Sequence, residues 1–132
     1  MTETSIHDNR LIGYEVDCVG HKIVLHTRFD ERGALELTDV IFEGVDAYDF
    51  EGDHLHSVLS DAREVPIAQL VAENQALFEE GVRYAWPGPW NDSPEASIRH
   101  FESEGLKAFV IGSSYGFVGW VVARSFRLER IA

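Results

Sequence analysis

The hydrophobic periodicity of this chain changes twice, and this feature restricts its fold more than any other. From residue 14 to residue 51, apolar and polar side chains alternate, which is the period of a β-strand with one buried face. From residue 66 to residue 105, apolar side chains recur at the spacing of a helix. From residue 106 to residue 128, β-branched and aromatic residues return, and these favour strands. Strands, then helices, then strands predict an α+β fold rather than an alternating parallel one.

The N-terminal part predicts an antiparallel meander. The predicted strands are Tyr14–Val19, His21–Phe29, Leu35–Phe42 and Ala47–Glu51. Gly33 can take the left-handed conformation that closes a hairpin, and Gly44 predicts a bend or bulge after the third strand. Residues 54–61 are compatible with either a helical turn or a strand.

Two helices are expected between the meander and a C-terminal hairpin. The first begins at Pro66 and ends at Gly81, and Ser93 caps a second helix that begins at Pro94 and stops at Gly105. The hairpin strands are Leu106–Ile111 and Phe117–Leu128, joined by residues 112–116. This glycine-rich connection leads into a strand and has no following Lys, so it indicates a hairpin rather than a phosphate-binding loop.

The strongly acidic composition limits the partners that the chain can bind. Twenty-three Asp and Glu against eleven Lys and Arg give a formal net charge of −12 over 132 residues, a length that fits one domain, residues 1–132. Such a surface repels phosphate backbones and anionic lipids, so neither nucleic acid nor a membrane is an expected partner. A basic protein is the favoured partner. The acidity is also compatible with a role in solubility alone.

The single cysteine and the polar N-terminus indicate a reducing compartment. Cys18 cannot form an internal disulfide, and residues 1–5 do not resemble a signal peptide. The longest apolar stretch, residues 117–123, is too short to cross a bilayer. The expected location is the cytoplasm.

Three carboxylates at alternate positions form the first candidate contact surface. Asp49, Glu51 and Asp53 would share one face of a strand. A calcium-binding loop counted from Asp49 would need Gly at His54 and Glu at Ser60, so that motif is excluded. A contact surface for a basic partner and a solvated strand face that resists aggregation both remain open.

Aromatic residues form the second candidate surface. Trp86 and Trp90 are separated by Pro87-Gly88-Pro89, which restricts the backbone, and Trp is a frequent interface anchor. Together with Tyr115 and Trp120 they are the candidates for a ligand pocket between sheet and helices. Alternatively, the two Trp side chains of the loop cover the core as a lid.

Neither a catalytic motif nor a metal motif is present in the sequence. The candidate metal ligands are His21, His26, His54 and His56, which would have to converge in the fold. The chain lacks a Gly-x-Ser-x-Gly elbow, and Cys18 is not part of a Cys-x-x-Cys motif. The sequence therefore assigns no catalytic residue, no metal ligand and no cofactor.

Two segments carry a resemblance to small uncharacterised bacterial proteins of the α+β class. They are Thr38–Phe50 and Gly119–Ala123. Some of the proteins that they resemble are of the immunity type, which neutralise a toxin. The resemblance and the charge together favour a non-enzymatic interaction protein, an immunity-type inhibitor of a basic partner. The alternative is a small-ligand-binding protein or an enzyme with an aromatic pocket.

Overall fold

Eight β-strands form one antiparallel sheet in a computed structural model that describes residues 5–31 and 33–132. The strands are β1 (Arg10–Asp17), β2 (Lys22–Glu31), β3 (Ala34–Glu43), β4 (Ala47–Glu51), β5 (Val58–Val65), β6 (Lys107–Tyr115), β7 (Val118–Ala123) and β8 (Ser125–Arg130). Between β5 and β6 the chain forms α1 (Ile67–Glu73), α2 (Gln75–Gly81), a 3₁₀ turn (Val82–Tyr84) and α3 (Pro94–Ser103). The predicted α+β class is confirmed, and none of the helices in the described ranges is long and apolar enough to cross a membrane.

The order of strands in the sheet is β4-β7-β6-β5-β1-β2-β3-β8. Successive side chains of β6 and β7 point to opposite faces, so these two strands separate two hydrophobic cores. On the inner face, Phe109 of β6 contacts Phe42 of β3, with ring centroids 5.8 Å apart, although β3 and β6 are not neighbours in the sheet. The sheet is therefore strongly curved, and its concave side contains the larger core.

The second core lies between the helices and the outer face of β6 and β7. It is built around Leu70 of α1, Phe78 of α2, Phe101 of α3 and Trp120 of β7, all of them buried. The rings of Phe78 and Trp120 stack with centroids 5.7 Å apart. The helical spacing of apolar residues seen in the sequence thus places one face of each helix against the sheet.

The helices follow the predicted positions with one difference. The segment predicted as one helix is two, because Asn74 leaves the helical conformation (φ −120°, ψ 30°) and its Nδ2 donates to the carbonyl of Leu70 at 2.8 Å. Such a side-chain bond to the preceding turn competes with helix continuation. The predicted cap is confirmed, since Ser93 Oγ accepts a hydrogen bond from the Ala96 amide at 3.2 Å.

The meander is confirmed only for its first three strands. β4 does not continue it but pairs with β7, so that Ala47 lies opposite Val122. Gly44, with φ at 66°, turns the chain out of β3, and Val45 then donates its amide to the carbonyl of His21 at 2.8 Å. Local turn signals cannot reveal this pairing, because β7 is far away in the sequence.

The turn of the C-terminal hairpin is shorter than predicted, and a separate strand follows the hairpin. Residues 112–115, predicted as the connection, belong to β6, and the chain turns at Gly116 (φ 85°). The predicted strand Phe117–Leu128 is divided at Arg124, whose amide donates to the carbonyl of Glu43 at 3.0 Å. β8 then pairs with β3. Of residues 54–61, which the sequence left open, residues 58–61 form the first half of β5.

Candidate functional site

The predicted acidic surface lies on the edge strand β4 and just after it. Asp49 and Glu51 occupy alternate positions opposite Trp120 and Val118 of β7, and so they share the face of the sheet on which the helices pack. β4 ends at Glu51, so Asp53 does not lie on this strand face. The prediction that all three carboxylates share one strand face is therefore wrong for Asp53.

Asp53 is instead held by β1. Its carboxylate accepts a hydrogen bond from the Tyr14 hydroxyl at 2.7 Å, and the Tyr14 ring packs edge-on against Phe50 at a centroid distance of 5.6 Å. The hydrogen bond to Asp53, together with burial, raises the pKa of Tyr14. This hydrogen bond links the segment after β4 to β1.

An open groove of about 660 Å³ runs along β4; we call it the β4 groove. Its aromatic walls are Tyr14, Tyr48, Phe50 and Trp86, and its carboxylates are Asp46, Asp49 and Asp53. None of the described residues that line it is Lys, Arg or His. Asp46 has a partner outside the groove, His100, but the described residues that line the groove itself include no such group. The groove therefore favours a positively charged ligand, and aromatic faces add attraction for Lys and Arg.

The fold changes the ionisation of Asp49 in the β4 groove. Burial, and secondarily the charge of Glu51, raise the pKa of Asp49. Within the described part of the chain, its carboxylate has no hydrogen-bond or ion-pair partner. A cation bound beside Asp49 would stabilise the charged form and lower this pKa.

Residues 86–90, which we call the Trp loop, are fixed to the helices by one buried side chain. Asn91, 2% exposed, donates from Nδ2 to the carbonyls of Phe78 at 2.9 Å and Trp86 at 2.7 Å, and its Oδ1 accepts from the Ser97 hydroxyl at 2.8 Å. The Trp86–Pro87 peptide bond is cis. Trp86 and Trp90 are both half-buried, so the loop covers part of the helical core and still presents aromatic surface.

The four aromatic residues predicted to line one pocket do not all come together. Trp86 and Trp120 are neighbours, with ring centroids 6.1 Å apart, but Trp120 is only 4% exposed and belongs to the core. Tyr115 is 58% exposed and lies at the end of β6, where its ring contacts His54. Trp90 instead stacks on His100, with ring centroids 3.8 Å apart and an interplanar angle of 14°.

A second cavity, of about 430 Å³, lies where α3 meets the ends of β3 and β7; we call it the histidine cavity. His100 Nε2 donates to Asp46 at 3.1 Å, and His21 Nδ1 donates to the carbonyl of Val45 at 3.0 Å. An imidazole with one nitrogen fixed in this way offers its other nitrogen to a ligand. Asp46 and His100 are far apart in the sequence, which contains no local signal for their pairing.

The other histidines lie apart from this cavity. His26 bridges Asp39 at 2.8 Å and Glu15 at 3.5 Å, and the hydrogen bond to Asp39 raises the pKa of His26. His54 contacts Tyr115. Across residues 5–31 and 33–132, no group of three or more His, Cys, Asp or Glu side chains is arranged to hold a metal ion.

Comparison with known proteins gives no family. No protein-family model matches the chain, and neither a curated protein nor a solved structure matches it.

Proposed function

We propose that this chain is a non-enzymatic interaction protein that captures a basic protein, in the manner of an immunity-type inhibitor. The observation that carries the proposal is the β4 groove, which combines the carboxylates of Asp46, Asp49 and Asp53 with aromatic walls and has no cation among its described lining residues. The net charge of −12 acts in the same direction over longer distances, because it accelerates the approach of a cationic partner.

Two further features support this function. The edge of the groove at Trp86 is held rigidly by Asn91, so little ordering entropy is lost when a partner binds. Cys18 is free and exposed, which suits a reducing interior such as the cytoplasm. The acidic surface disfavours nucleic acid as a ligand.

The test is a pull-down from lysate of the source organism at low and moderate salt. The wild type is compared with Asp49→Asn/Glu51→Gln/Asp53→Asn, and we expect one stoichiometric basic protein whose capture weakens about tenfold or more in this variant. Added salt should also weaken capture, because exposed charges are screened.

The matched control removes the same number of carboxylates elsewhere. Glu64→Gln/Glu95→Gln/Glu102→Gln alters exposed residues of β5 and α3 that do not line the β4 groove. Equal loss of capture in both triple variants would show that net charge alone attracts the partner. No captured basic protein at either salt concentration would refute the proposed function.

The histidine cavity favours a second candidate function, the binding of a small ligand. This function is supported by two imidazoles that are oriented by hydrogen bonds, His21 and His100, and that line the cavity together with the half-buried Trp90. A ligand there should change Trp fluorescence in a saturable manner, and Trp90→Phe should abolish the change. If a ligand library leaves the fluorescence of the wild type unchanged, this second function is wrong.

A further inference from the structure

The free edge of β4 provides a further clue to how a partner binds. β4 is a terminal strand of the sheet, and its five residues pair only with β7. In an antiparallel edge strand, alternate N–H and C=O groups point away from the neighbouring strand. Among the described residues, the backbone of β4 forms no ladder on this outer side. These groups are a template for one more strand.

The β4 groove follows this free edge, with one wall on each side of the sheet. On the inner side, Tyr14 packs against Phe50 of β4. On the helical side, Leu77 and Trp86 belong to the same core cluster as Ala47. A segment lying in the groove would therefore have the backbone of β4 beside it and apolar surface above and below it.

The charge of the groove determines which strand fits. The carboxylates of Asp46, Asp49 and Asp53 line it, and the described lining residues include no Lys, Arg or His. A second copy of β4 is unfavourable there, because antiparallel pairing of two identical acidic strands places like charges across from each other. An extended segment with basic side chains is favourable there, because it places opposite charges next to the carboxylates of the groove.

We propose that the partner contributes an extended, Lys- or Arg-bearing segment that pairs with β4 as a ninth strand. The inference rests on the proposed function and specifies its partner. Alternate side chains of the added strand face opposite sides of the sheet. Basic residues at every second position therefore meet Asp49 and Glu51 on the helical face. The intervening apolar residues meet Tyr48 and Phe50, whose rings lie 5.0 Å apart.

The probe is a blocked peptide of about six residues in which Lys and Val alternate, a length that suits one short strand. Two further peptides of the same sequence carry N-methyl groups on one or the other alternate set of backbone nitrogens. NMR of the 15N-labelled full chain follows the amides of β4 during titration. We expect saturable shifts centred on Ala47–Glu51, slowed hydrogen exchange of alternate β4 amides, and binding that is weaker by about tenfold for one N-methylated peptide.

Two variants locate the site. Asp49→Asn/Asp53→Asn should weaken binding of the parent peptide by about tenfold, whereas Glu95→Gln/Glu102→Gln, which removes the same charge from α3, should leave it within about twofold. Equal weakening in both variants would place the peptide elsewhere and overturn the inference.

The outcomes separate this inference from the proposed function. If both N-methylated peptides bind as tightly as the parent, strand addition is wrong, while the β4 groove remains a site for cationic side chains. If the parent peptide shows no saturable binding, strand addition is again wrong. In either case the pull-down with Asp49→Asn/Glu51→Gln/Asp53→Asn decides independently whether a basic partner is captured.

Discussion

Replacing Asn91 with Ala tests whether one buried amide fixes the Trp loop and, with it, a wall of the β4 groove. The side chain forms three hydrogen bonds, to the carbonyls of Phe78 and Trp86 and from the hydroxyl of Ser97. Each neutral hydrogen bond contributes about 1 kcal/mol, and partners left unsatisfied in a buried site add to the loss. We therefore expect Asn91→Ala to lower the free energy of unfolding by about 3 kcal/mol, measured by urea denaturation followed by Trp fluorescence.

The control for this prediction is Ser97→Ala. Ser97 is fully buried and shares only one of the three bonds, so its removal should cost about 1 kcal/mol. A third variant, Asn91→Asp, keeps the shape of the side chain but places carboxylate oxygens against the carbonyls of Phe78 and Trp86, and it should also destabilise the fold. A cost for Asn91→Ala no larger than that for Ser97→Ala would refute the argument that Asn91 anchors the loop.

Three further predictions concern the backbone and the titrating groups. Gly52→Ala should lower the free energy of unfolding by about 2 kcal/mol, measured by thermal or urea unfolding. Gly52 has φ of 66°, and an added Cβ would lie 2.6 Å from a backbone carbonyl oxygen of the β6–β7 turn. The control is Gly13→Ala, where an added Cβ has open space, and its free energy of unfolding should be within about 0.5 kcal/mol of the wild type. The raised pKa of His26 means that its stabilising effect is fully present below the unfolded pKa, near 6.5, and is lost as pH rises through the folded value. Asp39→Asn should therefore cost more stability at about pH 5.5 than at about pH 9, by less than about 1 kcal/mol because the pair is partly exposed, and an equal cost at both pH values would contradict this assignment. The raised pKa of Asp49 means that its ionised form destabilises the fold, and this effect is fully present above the folded pKa. Asp49→Asn should therefore slightly raise the melting temperature at neutral pH, and this gain should vanish below about pH 3.9, the unfolded pKa.

The sequence predicts the elements of this fold better than it predicts their partners. Alternation identified the first four strands, and the cap at Ser93 was confirmed, because both depend on residues near each other in the chain. The pairing of β4 with β7 depends on Gly44 redirecting the chain and on contacts with Val122, far along the sequence. The division of the first predicted helix depended on the single side-chain bond of Asn74, which periodicity cannot detect.

The candidate sites show the same division. Asp49, Glu51 and Asp53 stood out because they are close in sequence. Only Asp49 and Asp53 line the β4 groove, whose other walls come from Tyr14 of β1 and Trp86 of the loop after α2. The contact of His100 with Asp46 had no sequence signal at all, since it joins α3 to the segment before β4. Tyr115 was assigned to a pocket on residue type alone, and the fold places it at the end of β6 against His54.

The departure from the predicted meander places β4 at an edge of the sheet. Had β4 continued beside β3, it would occupy the position that β8 occupies, where Arg127 pairs with Glu43 and Arg130 pairs with Glu36. β4 would then take the place of these two arginines, and its acids would lie next to Glu43 and Glu36 of β3. On the edge beside β7, the described residues that line the β4 groove include no Lys, Arg or His. The long-range strand pairing that sequence periodicity did not reveal therefore keeps the cationic strand β8 beside the acids of β3 and places the acidic strand β4 at an edge of the sheet, where we propose that it contacts a partner.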